Sequence, residues 1–175
     1  FNLSLNCRNT QMIARQLELA TGSAGLRVSD KAPEGDPVEY LSHGNNEQLS
    51  RNLSSTLFGL KGQGVKAEEI VVLFHRRPSD EFLAAVARSS RLSLKEFESP
   101  ASGCVLWTTI HAFKGLEYPV VILADVMSSD RDEVDSRLYV GMSRARLKLI
   151  VLCDVTTRAM LDQRIIEGVT GAKSV

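Results

Sequence analysis

The sequence predicts an α/β domain layered around a mostly parallel sheet. Residues 105–110 (VLWTTI) and 120–123 (VVIL) are continuous apolar, β-rich runs. Neither alternates apolar with polar residues, as strands covered on both faces do not. Runs of the same kind recur at residues 70–74 and 147–153, separated by segments with apolar residues at helical spacing. The segment between the first two runs, residues 111–117 (HAFKGLE), is crowded with polar groups. In open α/β sheets ligands bind beyond the carboxyl ends of the strands, so that segment is the first place to look for function.

The elements follow in order. Residues 1–5 alternate Phe and Leu with Asn and Ser and read as a short strand. Asn9 or Thr10 can cap a helix over residues 11–20, with Ile13, Leu17 and Ala20 on one face and Gly22 as its stop. Residues 22–37 form a Gly-, Ser- and Pro-containing connector, long enough to favour mobility. A strand is expected near residues 38–41. Asn45 or Asn46 then caps a helix over residues 47–60, with Leu49, Leu53, Leu57 and Leu60 inward. Gly59, Gly62 and Gly64 lack the spacing and the Lys-Ser/Thr pair of a phosphate loop and read as helix termination.

The strand at residues 70–74 leads through His75, Arg76 and Arg77 to a helix over residues 80–88 capped by Ser79. A short strand and polar loop occupy residues 91–103. After Val126, Ser128 or Ser129 precedes an acidic turn of Asp130, Asp132, Glu133 and Asp135. Acids there complement the positive end of a helix, a better reading than metal binding with no histidine nearby. That helix is expected to run to about Ala145, with Val134, Leu138 and Ala145 inward and Arg137 and Arg144 sharing another face. Thr156 can cap a last helix over residues 157–167, and residues 169–175 are expected to fray.

The chain has 175 residues, suited to one core. Lys plus Arg and Asp plus Glu are 21 each, so no global basic field marks a stand-alone nucleic-acid binder. Cys7, Cys104 and Cys153 are widely spaced and form no metal-ligand pattern with the three histidines. Reduced thiols and a cytoplasmic setting follow. No run reaches the ~18 apolar residues of a membrane span. The start at Phe1 rather than Met reads as an excised fragment.

Three segments carry a resemblance. T-I-H-A-F-K-G-L-E-Y, Thr109 to Tyr118, resembles motif V of the UvrD/Rep-like superfamily 1 DNA helicases, roughly T-x-H-x-x-K-G-L-E-[FY]. L-Y-V-G-M-S-R-A-R, Leu138 to Arg146, resembles motif VI, and L-N-C-R-N-T, Leu5 to Thr10, resembles motif IV with Cys7 in place of an aromatic. The resemblance implies a RecA-like fold. It implies that residues 1–175 are one unit, the second motor domain called 2A. Residues 91–103 are too short for the inserted 2B domain of many relatives.

The resemblance also assigns roles. Arg144 and Arg8 would be arginine fingers on the γ-phosphate of ATP. Arginine suits this because its fork binds phosphate oxygens bidentately and keeps its proton. Such a finger contributes on the order of 10³–10⁵ in rate. The bland alternative for Arg144 is a cation at a helix carboxyl end. Glu117 would accept from the ribose hydroxyls. Gly115 would let the backbone turn tightly or approach a ligand, and Lys114 would pair with a phosphate or a nearby acid. Thr109 and His111 would hold the backbone of single-stranded DNA, as would His75 and Arg77, which stand where relatives carry a Y-R-T-N-like sequence.

No G-x-x-x-x-G-K-[ST] occurs in the chain. The phosphate cradle and Mg²⁺ ligands would lie on an N-terminal RecA-like domain, the implied partner, and this chain alone would not hydrolyse ATP. No metal site is expected here. The rival reading is a non-catalytic RecA-like DNA- or protein-binding module.

Overall fold

In a computed structural model of the chain, residues 5, 6, 8–22, 27–98, 102–127 and 131–171 are described. Cys7, Ser128, Ser129, Asp130 and most of the first expected strand lie outside them.

The described chain holds eight strands and five α-helices, with β2–β3 and β5–β6–β7 following one another without an intervening α-helix. β1 (Leu5–Asn6) and β2 (Arg27–Val28) form a small parallel pair. The main sheet holds β3 (Glu39–His43), β4 (Ile70–Phe74), β5 (Ser93–Glu96), β6 (Cys104–Thr109), β7 (Tyr118–Val126) and β8 (Ala145–Asp154). Its order is β3-β8-β7-β4-β6-β5, and every pairing is parallel. The expected mostly parallel sheet is thus wholly parallel.

Helices cover both faces, as a parallel sheet requires. On one face α1 (Gln11–Thr21), α4 (Arg131–Met142) and α5 (Val155–Gly171) pack Ile13, Leu138 and Leu161 onto Val71, Val121 and Leu149. On the other, α2 (Asn46–Gly62) and α3 (Asp80–Ser90) pack Leu53, Leu57 and Val86 onto Val72, Ile122 and Ile150. Alternate residues of one strand serve opposite cores: Val71 and Leu73 face the first, Ile70, Val72 and Phe74 the second. The apolar runs are therefore continuous for the reason expected. Gly141 lets α4 approach the sheet; a Cβ there would lie 2.5 Å from a methyl of Leu123.

The caps divide as side-chain reach dictates. Thr10, Asn45 and Ser79 accept from the N–H groups of Ile13, Gln48 and Phe82. Gly22 closes α1 in the left-handed conformation. Three expectations need correction. α2 continues through Gly59 to Gly62, because its leucine stripe outweighs the ~1 kcal/mol helix cost of a glycine. α5 starts at Val155, and Asp154 rather than Thr156 caps it, accepting from Thr157 N–H at 2.9 Å. α4 ends at Met142 and Ala145 opens β8; Arg137 is buried at 6% exposure, so it shares no open face with Arg144. Part of the long connector is tied down, since Pro33 and Glu34 carbonyls accept from Gln11 and Met12 N–H, two of the free donors of α1's first turn.

Candidate nucleotide and strand sites

Strand register brings motifs V and VI together. Tyr118 pairs with Ala145, and Tyr118 N–H donates to Arg144 O at 2.9 Å. The residues just before the two strands, Glu117 and Arg144, therefore meet at the amino edge of the sheet. Asn9 brings motif IV to the same place. It is 4% exposed, and its side-chain amide donates to Ala145 O. With Asn9 so engaged, Thr10 caps α1, and Arg8 is left exposed beside Glu117.

Arg8 Nε lies 3.8 Å from Glu117 Oε2, with 67% and 43% of the two side chains exposed. A pair so exposed contributes roughly 0–1 kcal/mol, so a ligand can replace it at little cost. Arg144 is held more firmly. Its Nε donates to Val140 O at 2.9 Å and its Nη1 to Leu116 O at 3.2 Å. Burial, and next the like charge of Arg8, lower the pKa of Arg144, while Tyr139 and Glu117 oppose them. The helix-end reading of Arg144 is thus met through Val140 O. It does not exhaust a group with five donors. The expectation that ligand groups gather beyond the carboxyl ends of the strands needs correction for these three residues, which stand at the opposite edge.

The loop from Thr109 to Tyr118 links the two edges. It replaces the usual crossover helix with turns pinned by Phe113, which is fully buried between Phe97 and Tyr118 at ring-centroid distances of 5.2 and 6.2 Å. Gly115 has φ +88°, and nothing lies within 4 Å of where its Cβ would be. Its role is the turn rather than a close approach. Lys114 is exposed, with no ion pair to a described acid.

Thr109 and His111 lie at the carboxyl edge. Thr109 pairs with Phe74, so the end of β6 sits beside His75 at the end of β4. Thr109 Oγ1 accepts from Ala112 N–H at 3.3 Å, which shapes the turn and leaves the hydroxyl proton free to donate. His111 is exposed. Arg77 is committed elsewhere: it forms a bidentate pair with Glu96 and lies 5.0 Å from the centre of the Trp107 ring. The structure therefore brings Arg8, Glu117 and Arg144 together at one edge and Thr109, His111 and His75 at the other.

A polar cavity of about 240 Å³ at the carboxyl edge was not legible in the sequence. Among its lining residues are His43 and Asp154, which end β3 and β8, and Asp125, next to last in β7. Asp125 has φ +60°, and His43 Nε2 is buried without a hydrogen-bond partner. Its only trace in the sequence is a polar residue closing each apolar run. Among the described residues no group of histidines, cysteines and acids could hold a metal. Burial first, opposed by Asp125 and Asp154, lowers the His43 pKa from 6.5. Burial raises that of Asp125 from 3.8, against His43, His75 and Arg76.

The signs of these two shifts are opposite. Below pH 6.5 the unfolded chain takes up a proton that folded His43 resists, so stability falls as pH falls through that range. Asp125 is protonated first in the folded state, so its contribution grows as pH falls toward 3.8. Thermal melts should therefore drop between about pH 7 and pH 5.5, and His43→Gln should flatten that segment. An unchanged slope in the variant would remove His43 from the account.

Comparisons with known proteins bear on the fold and on the segment from β6 to β8. The fold is that of a RecA-like C-terminal helicase domain. The chain superposes with TM-score 0.62 on the C-terminal domain of a possible DNA helicase from Lactobacillus plantarum WCFS1, at 17% identity, covering 84% of this chain and 86% of that one. Residues 105–152, from β6 to β8, match the UvrD-like helicase C-terminal domain. The chain is also 36% identical over 71 residues to the mitochondrial ATP-dependent DNA helicase HMI1 of Saccharomyces cerevisiae. That match covers 41% of this chain and 10% of the relative. The similarity expected from motifs V and VI is thus met where those motifs lie. No described helix is long and apolar enough to cross a membrane.

Proposed function

We propose that this chain is the C-terminal motor domain of an ATP-dependent DNA helicase or translocase, a single 2A domain without a 2B insertion. The observation that carries the proposal is the meeting of Arg8, Glu117 and Arg144 at one sheet edge through Asn9 and the Tyr118–Ala145 register. Two cations beside one carboxylate suit a nucleotide: the arginines face phosphate oxygens and Glu117 accepts from the ribose hydroxyls. Lys114 adds positive charge on the same loop, and Gly115 aims it.

Mg²⁺ and the phosphate cradle are supplied by an N-terminal RecA-like domain across a cleft. Closure of that cleft exchanges the loose Arg8–Glu117 pair for contacts to ATP, and hydrolysis reverses the exchange. Phe113 fastens Glu117 and Thr109 to one loop, so the strand contacts shift with the nucleotide contacts. The cytoplasmic setting stays part of this proposal, resting on the widely spaced cysteines. The rival, a non-catalytic binding module, draws on Arg77, whose pairing with Glu96 removes one cation from the strand path.

The strand assignment is tested by replacing Thr109 and His111 together with Ala in the longer protein. Single-strand affinity should weaken about equally for all sequences, with the salt dependence shallower by roughly one to two phosphate contacts. A sequence-selective loss, or none, would overturn the backbone role.

A further inference from the structure

The α2–α3 face carries a groove of about 440 Å³ lined by Arg51, Ser54, Ser55, Phe58, Ser89 and Arg91. Phe58 among them is 55% exposed. A solitary exposed aromatic is ordinary on a protein surface. The residue opposite it is not. Arg91 is the C-cap of α3, with φ 56° and ψ 37°, the left-handed conformation. Glycine is the usual residue there because any Cβ is strained. Strain of this kind persists where the surroundings or a function maintain it. No described acid pairs with Arg91. Among the described residues Arg51 pairs with Glu47, at 3.3 Å, in an exposed i,i+4 pair that contributes little and exchanges easily.

We propose that this groove docks an acidic peptide segment bearing an aromatic or large aliphatic anchor, which packs on Phe58 while its carboxylates meet Arg91 and Arg51. Charge complementarity selects that occupant. The whole chain is neutral, yet the described cations lining the groove, two arginines, face no acid within it. Arginine and aromatic residues are the side chains that dominate protein interfaces, and a carboxylate fits the arginine fork bidentately. A nucleic-acid strand suits the groove less well, since it needs a line of cations along its backbone. The groove has one at each side, and the strand candidates Thr109 and His111 lie at the sheet's carboxyl edge.

The test uses a fluorescein-labelled peptide of consecutive aspartates ending in phenylalanine, followed by anisotropy against the chain. Saturable binding is expected, absent when lysine replaces aspartate. Phe58→Ala should weaken it by about tenfold, or 1.4 kcal/mol. Arg91→Gly should weaken it by a similar factor while raising the melting temperature, because glycine relieves the left-handed strain. Binding that falls as stability rises is an outcome no purely structural role of Arg91 produces. No binding by the chain, or undiminished binding by both variants, overturns the proposal. So does a short oligothymidylate that displaces the peptide and itself loses affinity in Phe58→Ala, which would make the groove a nucleic-acid surface.

Discussion

Arg144→Ala in the longer protein should cut ATP turnover at saturating ATP and single strand by about 10³-fold, roughly 4 kcal/mol. The charge of a finger matters most as the γ-phosphoryl group leaves, so the loss should fall on kcat rather than KM. The structure adds a second effect. Arg144 joins α4 to the motif V loop through Val140 O and Leu116 O. Alanine leaves both carbonyls without that donor, at about 1 kcal/mol each where water cannot replace it. A small fall in the melting temperature should therefore accompany the kinetic loss. Arg144→Lys separates the two. An ammonium can still reach one of the carbonyls but cannot reproduce the bidentate fork, so stability should recover in part and turnover should not. Near-normal turnover in the Ala variant would assign Arg144 to the helix end alone, and a collapsed melt would make it structural.

What could be read in advance follows from the range over which each feature is encoded. Buried strands announce themselves locally. The runs at residues 70–74, 105–110 and 120–123 each fall within a strand or overlap it closely, because full burial on both faces demands continuous apolar residues. Caps are local too, so Asn45 and Ser79 were legible, whereas Asp154 was obscured by the run of threonines that follows it. The end of α4 departs from its helical spacing for a physical reason. Ala145 has the spacing of a helical core residue, but it is buried as the first residue of β8, where the backbone bond of Tyr118 to Arg144 O starts the ladder.

The sites divide in the same way. Glu117 and Arg144 could be named from motifs, but their juxtaposition depends on register between strands that a helix separates. The Asn9 amide on Ala145 O spans 136 residues and left no local signal. His43, Asp125 and Asp154 come from three different strand ends and meet only because the order β3-β8-β7 places those ends side by side. The engagement of Arg77 with Glu96 and Trp107 was hidden likewise, since it needs β5, β6 and the turn after β4 together.

Phe113→Ala should be the most damaging single change for the fold of the motif V loop. Residues 110–117 cross from the carboxyl edge of β6 to the amino edge of β7 without a helix, held by a few backbone bonds, by the Thr109 hydroxyl and the Arg144 guanidinium at their ends, and by the buried side chains of Ile110 and, at the middle, Phe113. Phe113 N–H donates to Thr109 O at 3.1 Å and Leu116 N–H to Phe113 O at 3.2 Å. The ring itself is fully buried, edge-on to Phe97 and Tyr118. Emptying such a site costs about 3–5 kcal/mol, a large share of the roughly 5–15 kcal/mol that holds a domain together. Phe113→Leu keeps most of the volume and should cost less, about 1–2 kcal/mol, chiefly from lost ring contacts. The urea midpoint, at constant slope, measures both. The variants carry a functional consequence as well. Thr109 and Glu117 sit on either side of Phe113 in one segment, so loosening it should weaken single-strand binding and nucleotide-dependent turnover together in the longer protein. A Phe113→Ala variant that loses less than about 1 kcal/mol, or that impairs one activity and spares the other, would show that the loop does not act as one rigid piece.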